Sequence, residues 1–132
     1  MRITSLSGRA VATKTVLIVD DNAVVRSPLR RLLESHPEFE VSGEAENGRD
    51  AIDKAGLLKP DLIILDLAMP IMNGLEAATI LRKMLPDVRL ILFTAHDGNQ
   101  VQRLAKAAGI NAVVPKGKSS SELIALAKAL VA

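Results

Sequence analysis

The chain has no cysteine, no tryptophan and no tyrosine, and only two phenylalanines, Phe39 and Phe93. The first absence removes both a disulfide framework and any thiolate metal site, and it is compatible with a reducing cytoplasm. The lack of aromatics removes the rings on which single-strand nucleic-acid binders stack successive bases. Charge of one sign is scarce as well: 17 Lys and Arg against 15 Asp and Glu leave +2 at neutral pH, too little to imply a polyanionic partner. No apolar run approaches the ~20 residues that a membrane span needs. What remains is a chain of 132 residues with 48% hydrophobic side chains. That is long enough for one domain around one substantial core, and too apolar for a disordered class.

Short apolar runs alternate with segments of helical period, the pattern of repeated βα units and a parallel sheet. The runs are Thr15–Val19, Leu62–Leu65, Leu90–Phe93 and Ala112–Val114, with a weaker one at Phe39–Ala45, where Phe39 and Val41 alternate with Glu40 and Ser42. Helical spacing predicts five helices, at about 23–35, 48–57, 74–84, 99–108 and from 119 onward. Asp21 or Asn22 caps the first, which Pro28 should bend by removing a backbone donor. Gly109 closes the fourth as a left-handed cap. Ser119 and Glu122 stand in capping-box spacing ahead of Leu123, Leu126 and Leu130. Residues 1–13, with Ser, Thr and Arg but no acid, read as a disordered leader, and 14–132 as a single domain.

Five polar residues stand at or just past the carboxyl ends of these strands: Asp20, Asp21, Asp66, Thr94 and Lys116. In an open parallel sheet that edge is where ligands bind. An acid after a strand commonly caps the next helix, yet capping needs one acid and Asp20-Asp21 offers two. Asp66 opens Asp66-Leu-Ala-Met-Pro-Ile-Met-Asn-Gly74, where Pro70 and Asn73-Gly74 shape a fixed loop. Thr94 alone reads as a strand end and Lys116 alone as a solvated charge. Together they place three carboxylates, a hydroxyl and an ammonium in one pocket. Carboxylates so crowded resist joint ionisation, and oxygen ligands suit a hard cation, so the chemistry suggested is magnesium with phosphate. His96 reads as a solvated loop residue, and Met69 and Met72 as loop packing.

The motifs Val-Asp20-Asp21-Asn, Leu65-Asp66-Leu-Ala-Met69-Pro70-Ile-Met-Asn73-Gly74, Phe93-Thr94-Ala95 and Pro115-Lys116 are similar to those of the receiver domains of bacterial two-component response regulators. The resemblance covers about Lys14 to Ala132. It implies a flavodoxin-like receiver fold, a five-stranded parallel sheet of order 2-1-3-4-5 with five helices on both faces. It further implies Asp66 as phosphoacceptor, Thr94 and Lys116 as its partners, and Mg²⁺ held by Asp21, Asp66 and the backbone carbonyl of Ala68, with Asp20 acting through water. The expected function is a cytoplasmic signalling switch that takes a phosphoryl group from a sensor histidine kinase or phosphotransfer protein. Only weak autophosphorylation and autodephosphorylation are expected, so the chain is not an enzyme in the usual sense.

Two positions depart from the pattern the resemblance sets. Val113 stands where an aromatic switch residue is usual, and Gly117 follows the lysine where many members have proline. A phosphatase of haloacid dehalogenase type also forms an aspartyl phosphate, but its Asp-x-Asp motif meets Ala68 here. A flavin carrier is disfavoured by the missing aromatics. The resemblance leaves open a homodimer on activation. Nucleic acid would be reached only through a C-terminal output domain beyond residue 132, with a free-standing receiver as the equal alternative.

Overall fold

A computed structural model describes residues 2–6, 9–96, 98–117 and 120–132. In chain order the elements are β1 (Arg2–Leu6), β2 (Arg9–Val19), α1 (Ala23–Glu34), β3 (Phe39–Ala45), α2 (Gly48–Leu58) and β4 (Leu62–Leu65). These are followed by α3 (Gly74–Met84), β5 (Arg89–Thr94), α4 (Asn99–Ala107), β6 (Ala112–Pro115) and α5 (Ser120–Val131). Strands β2 to β6 form one parallel sheet in the spatial order β3-β2-β4-β5-β6. Numbered among themselves, those five strands run 2-1-3-4-5, the order expected.

Alternation along the strands decides which helix lies on which face, because successive side chains point to opposite sides. Leu17, Val19, Ile63, Leu65, Leu90 and Leu92 share a cluster with Ala51 and Ala55 of α2, Ala77, Ala78 and Leu81 of α3, and Ala105 of α4. Their neighbours Val16, Ile18, Leu62, Ile64 and Ile91 pack on the opposite face, against Leu29 and Leu33 of α1 and Leu123, Ile124 and Ala127 of α5. Every residue of β4 is buried, as a strand covered on both faces must be, and its sequence Leu-Ile-Ile-Leu is correspondingly continuous.

Ahead of Lys14, in place of the expected disorder, β1 pairs antiparallel with the first residues of β2, from Arg2 opposite Thr13 to Leu6 opposite Arg9. The parallel register of β2 begins only at Lys14 opposite Phe39, so the added strand stands outside the five-stranded core. Met1, Ser7 and Gly8 of that segment lie outside the described residues, as does Ser119 of the expected capping box on α5.

Asparagines set the starts of three helices. Asn22 accepts from the Val24 N–H, Asn47 from the Asp50 N–H, and Asn73 from the Glu76 N–H. Glu76 returns a bond to the Asn73 N–H and completes a capping box, satisfying two donors that the first turn leaves open. Helix α1 runs as one element with Pro28 inside it. Gly109 takes φ +87° just past α4, the left-handed stop read from its sequence.

The start of α3 presses on the backbone of Asp66. The Gly74 N–H donates to the Leu67 carbonyl at 2.9 Å, and a Cβ on Gly74 would come within 2.1 Å of the Asp66 carbonyl oxygen. Backbone on both sides leaves no flexible side chain to yield. We expect Gly74→Ala to cost about 1–3 kcal/mol or more, in the range of overpacking in a tight interior, seen as a lowered Tm and a lower denaturant midpoint. An unchanged melt would show that α3 slides freely on the loop.

Candidate functional site

The parallel hydrogen-bond ladder runs on past the strand ends and fixes the backbone under three of the site residues. The Asp20 N–H donates to the Ala45 carbonyl of β3 at 3.0 Å, the Asp66 N–H to the Val19 carbonyl of β2 at 2.9 Å, and the Lys116 N–H to the Thr94 carbonyl of β5 at 2.8 Å. Strand order therefore brings together residues that are far apart in sequence. Asp20 and Lys116, 96 positions apart, meet through Nζ and Oδ2 at 2.8 Å. The same ammonium lies 3.4 Å from Asp66 Oδ1.

Asp20 and Asp66 retain only 3% and 7% of their exposure, and Thr94 is fully buried. Asp21 is exposed. One carboxylate oxygen from each of Asp20, Asp21 and Asp66 falls within 4.8 Å of the others. Backbone also reaches these carboxylates: Asp20 Oδ1 accepts from the Asn22 N–H at 2.9 Å, and Asp66 Oδ1 from the Leu67 N–H at 2.9 Å. Thr94 Oγ1 accepts from the His96 N–H at 3.1 Å.

Burial, joined by the charge of Asp20, pushes the Asp66 carboxyl above its ordinary range; Lys116 and the Leu67 N–H oppose this without cancelling it. On Lys116 burial works to lower the pKa, but the hydrogen bond to Asp20 and the charges of Asp20 and Asp66 outweigh it, and the ammonium is held more firmly than usual. Among the described residues, three carboxylates set against the Lys116 ammonium leave an excess of negative charge when all are ionised. An all-oxygen donor set with that excess fits a hard divalent cation, which keeps several waters and takes carboxylate ligands. The acid cluster therefore passes the test of donor type, charge and spacing for Mg²⁺.

The structure brings together Asp20, Asp21, Asp66 and Lys116 as read from sequence, and puts buried Thr94 on the strand whose last carbonyl anchors Lys116. Ala68 is exposed in the segment after β4. His96 enters through its backbone N–H. Val113 is half-buried and packs on the α2–α3–α4 face, in register with Leu92.

One residue in contact with the acidic loop escaped the sequence reading. Arg26 of α1 donates from Nη1 to the Asp20 carbonyl and from Nε to Glu44 Oε1. Its place one turn into the helix that follows the acidic pair is visible in the sequence, but its backbone acceptor is not.

A parallel α/β sheet of order 2-1-3-4-5 carrying an acid pocket and a lysine at its carboxyl edge defines a flavodoxin-like receiver. Comparison with known proteins agrees. The response regulator receiver domain family matches residues 16–128, and the chain belongs to that family. The response regulator protein VraR of Staphylococcus saprophyticus is 38% identical over 109 residues, covering 82% of this chain and 52% of that protein. Among solved structures, a LuxR-family two-component response regulator from Aurantimonas is 31% identical with a TM-score of 0.87, covering 91% of this chain and 86% of the other. The signal receiver domain of the response regulator NarL from Mycobacterium tuberculosis is 28% identical with a TM-score of 0.83, over 90% and 97%. The chain spans about half the length of the curated relatives it matches. The haloacid dehalogenase alternative finds no support in these matches, and Ala68 offers a methyl group where that chemistry asks for a second carboxyl.

A raised pKa in the folded state means that ionising Asp66 costs folding free energy. Its contribution to stability is present below the unfolded value of about 3.9 and is lost as pH rises through the folded value. Without divalent cations, Asp66→Asn should therefore melt above the parent at neutral pH, and the two melts should converge on acidification toward the unfolded carboxyl value. A variant that melts with the parent at neutral pH would contradict the crowding described here.

Proposed function

We propose that this domain is a phosphorylation-controlled switch in which Asp66 takes a phosphoryl group from the phosphohistidine of a sensor histidine kinase or phosphotransfer protein. The observation that carries the reading is the nearly buried Asp66 carboxylate. It is held on Oδ1 by Leu67 and Lys116, while Oδ2 accepts no hydrogen bond among the described residues. An Asp66 oxygen forms the new O–P bond as the N–P bond breaks, and the electron pair departs with the imidazole. Lys116 stands where it neutralises charge on the transferred group. Asp20, Asp21, Asp66 and the Ala68 carbonyl are the residues that would hold Mg²⁺, Asp20 through water. Bound there, the ion supplies charge neutralisation on the phosphoryl oxygens. Slow self-phosphorylation from small phosphodonors and slow hydrolysis of the product belong to the same reading.

Output follows from Thr94. A hydroxyl drawn to a phosphoryl oxygen must give up its bond to the His96 N–H, which frees the segment leading into α4. That helix is poorly tied: its N-cap, Gly98, offers no side-chain bond, and Ala105 is its one buried residue. Val113 fills space without an aromatic rotation, so the change is carried by the segment after β5 and the first turns of α4. Since a bound group shifts a population only by its differential affinity for the two states, the coupling is modest.

The functional unit in this reading is residues 14–132, with the first 13 an appendage. A cytoplasmic setting, a homodimer on activation and a C-terminal output domain that reaches nucleic acid complete the proposal. No helix among the described residues is long and apolar enough to cross a membrane.

Incubation with Mg²⁺ and acetyl phosphate should add ~80 Da, the mass of one phosphoryl group on a nucleophilic carboxylate, and Asp66→Asn should show no such adduct. An undiminished adduct in the variant would move the acceptor elsewhere. Amide exchange with and without a beryllofluoride mimic should change over residues 95–105, and unaltered protection there would refute the route through Thr94.

A further inference from the structure

We infer that Arg26 is a positioning residue for the metal-binding loop, locking the peptide between Asp20 and Asp21 so that Asp21 meets a cation without help from its own side-chain contacts. The inference rests on the reading of the acid cluster as a Mg²⁺ site. Its starting point is an asymmetry within the acidic pair. Asp20 is held three ways, by its N–H on Ala45, by the Asn22 N–H on Oδ1 and by Lys116 on Oδ2. The Asp21 carboxylate is exposed and accepts no hydrogen bond among the described residues. Where that carboxylate sits is thus decided by its backbone.

Asp21's backbone is set by the peptide that precedes it. The peptide is planar, so fixing the Asp20 carbonyl also fixes the Asp21 nitrogen and Cα. Arg26 Nη1 donates to that carbonyl at 2.5 Å, and its Nε donates to Glu44 Oε1 at 2.9 Å. Helical side chains lean toward the N-terminus, which lets a residue of the first turns of α1 reach back to the loop before it. Glu44 is in turn gripped by Arg30 Nη1 on Oε2, and its carboxyl is held below its usual range. Burial alone would raise it, and the hydrogen bonds from Arg30 and Arg26 overcome that. The guanidinium is therefore a rigid strut between β3 and the acidic loop. A lysine could carry the charge but not two divergent, planar donors.

The test compares Arg26→Met, Arg26→Lys and Arg30→Met with the parent in the whole chain. Arg30→Met also strips a partner from Glu44 but touches nothing on the loop. Mg²⁺ affinity from titration calorimetry should fall about 10-fold or more in both Arg26 variants, the scale seen when groups that orient metal ligands are removed, and should be unchanged in Arg30→Met. In metal-free protein the Asn22 amide, which donates to Asp20 Oδ1, should exchange faster in the Arg26 variants than in Arg30→Met. Parent-like affinity in Arg26→Met, rescue by Arg26→Lys, or an equal loss in Arg30→Met would each overturn the inference while leaving the metal site standing. A parent that binds no Mg²⁺ would overturn the reading of the site itself, and this inference with it.

Discussion

Mutual repulsion among Asp20, Asp21 and Asp66 is the constraint around which the carboxyl edge of this sheet is built. Carboxylates within 4.8 Å of one another, two of them nearly buried, are unstable company unless something positive lies among them. Lys116 meets part of that need by bridging Asp20 and Asp66. Burial, joined by the charge of Asp20, still leaves the Asp66 carboxyl above its ordinary range. The fold thus carries a local electrostatic cost at the place where an open α/β sheet offers its ligand crevice, a cost that a cation bound there would relieve.

Holding such a cluster requires a stiff frame. Asp20, Asp66 and Lys116 each hang from a backbone N–H tied to a neighbouring strand, and β4, covered on both faces, cannot shift without disturbing two cores. Gly74 and Gly48 extend the frame into the helices. At both, an added Cβ would strike backbone oxygen, of Asp66 and of Met72 respectively. Against this rigidity α4 stands out as the loosely held element, with an uncapped start and one buried side chain. A change at a stiff site is expressed where the surrounding structure opens most cheaply.

Most of the sheet and the site could be read from residue order because both depend on local pattern. Continuous apolar runs marked the covered strands, and even the weakly patterned Phe39–Ala45 emerged as β3. Polar residues at the ends of those runs marked the pocket, since parallel strands in one sheet must bring their carboxyl ends to one edge. Strand β1 was not legible. Its pairing is antiparallel and short-range, and the segment lacks the apolar run that signalled the others. Arg26 was not legible either, because its partners, the Asp20 carbonyl and Glu44, lie on β2's exit and on β3. Backbone acceptors leave no trace in a sequence. The choice between Asp21 and Asn22 as cap of α1 likewise needed coordinates: Asn22 caps, which leaves the Asp21 side chain out of the cap.

The measurement that most directly tests the account is the thermal melt of the parent chain at neutral pH with and without millimolar Mg²⁺, beside Asp21→Asn. Relief of carboxylate repulsion by a bound cation stabilises the folded state by mass action. Tm should therefore rise with Mg²⁺ in the parent and rise far less in Asp21→Asn. A parent melt indifferent to Mg²⁺, together with an unchanged melt for Asp21→Asn, would show that the acidic pair is no more than loop and cap chemistry.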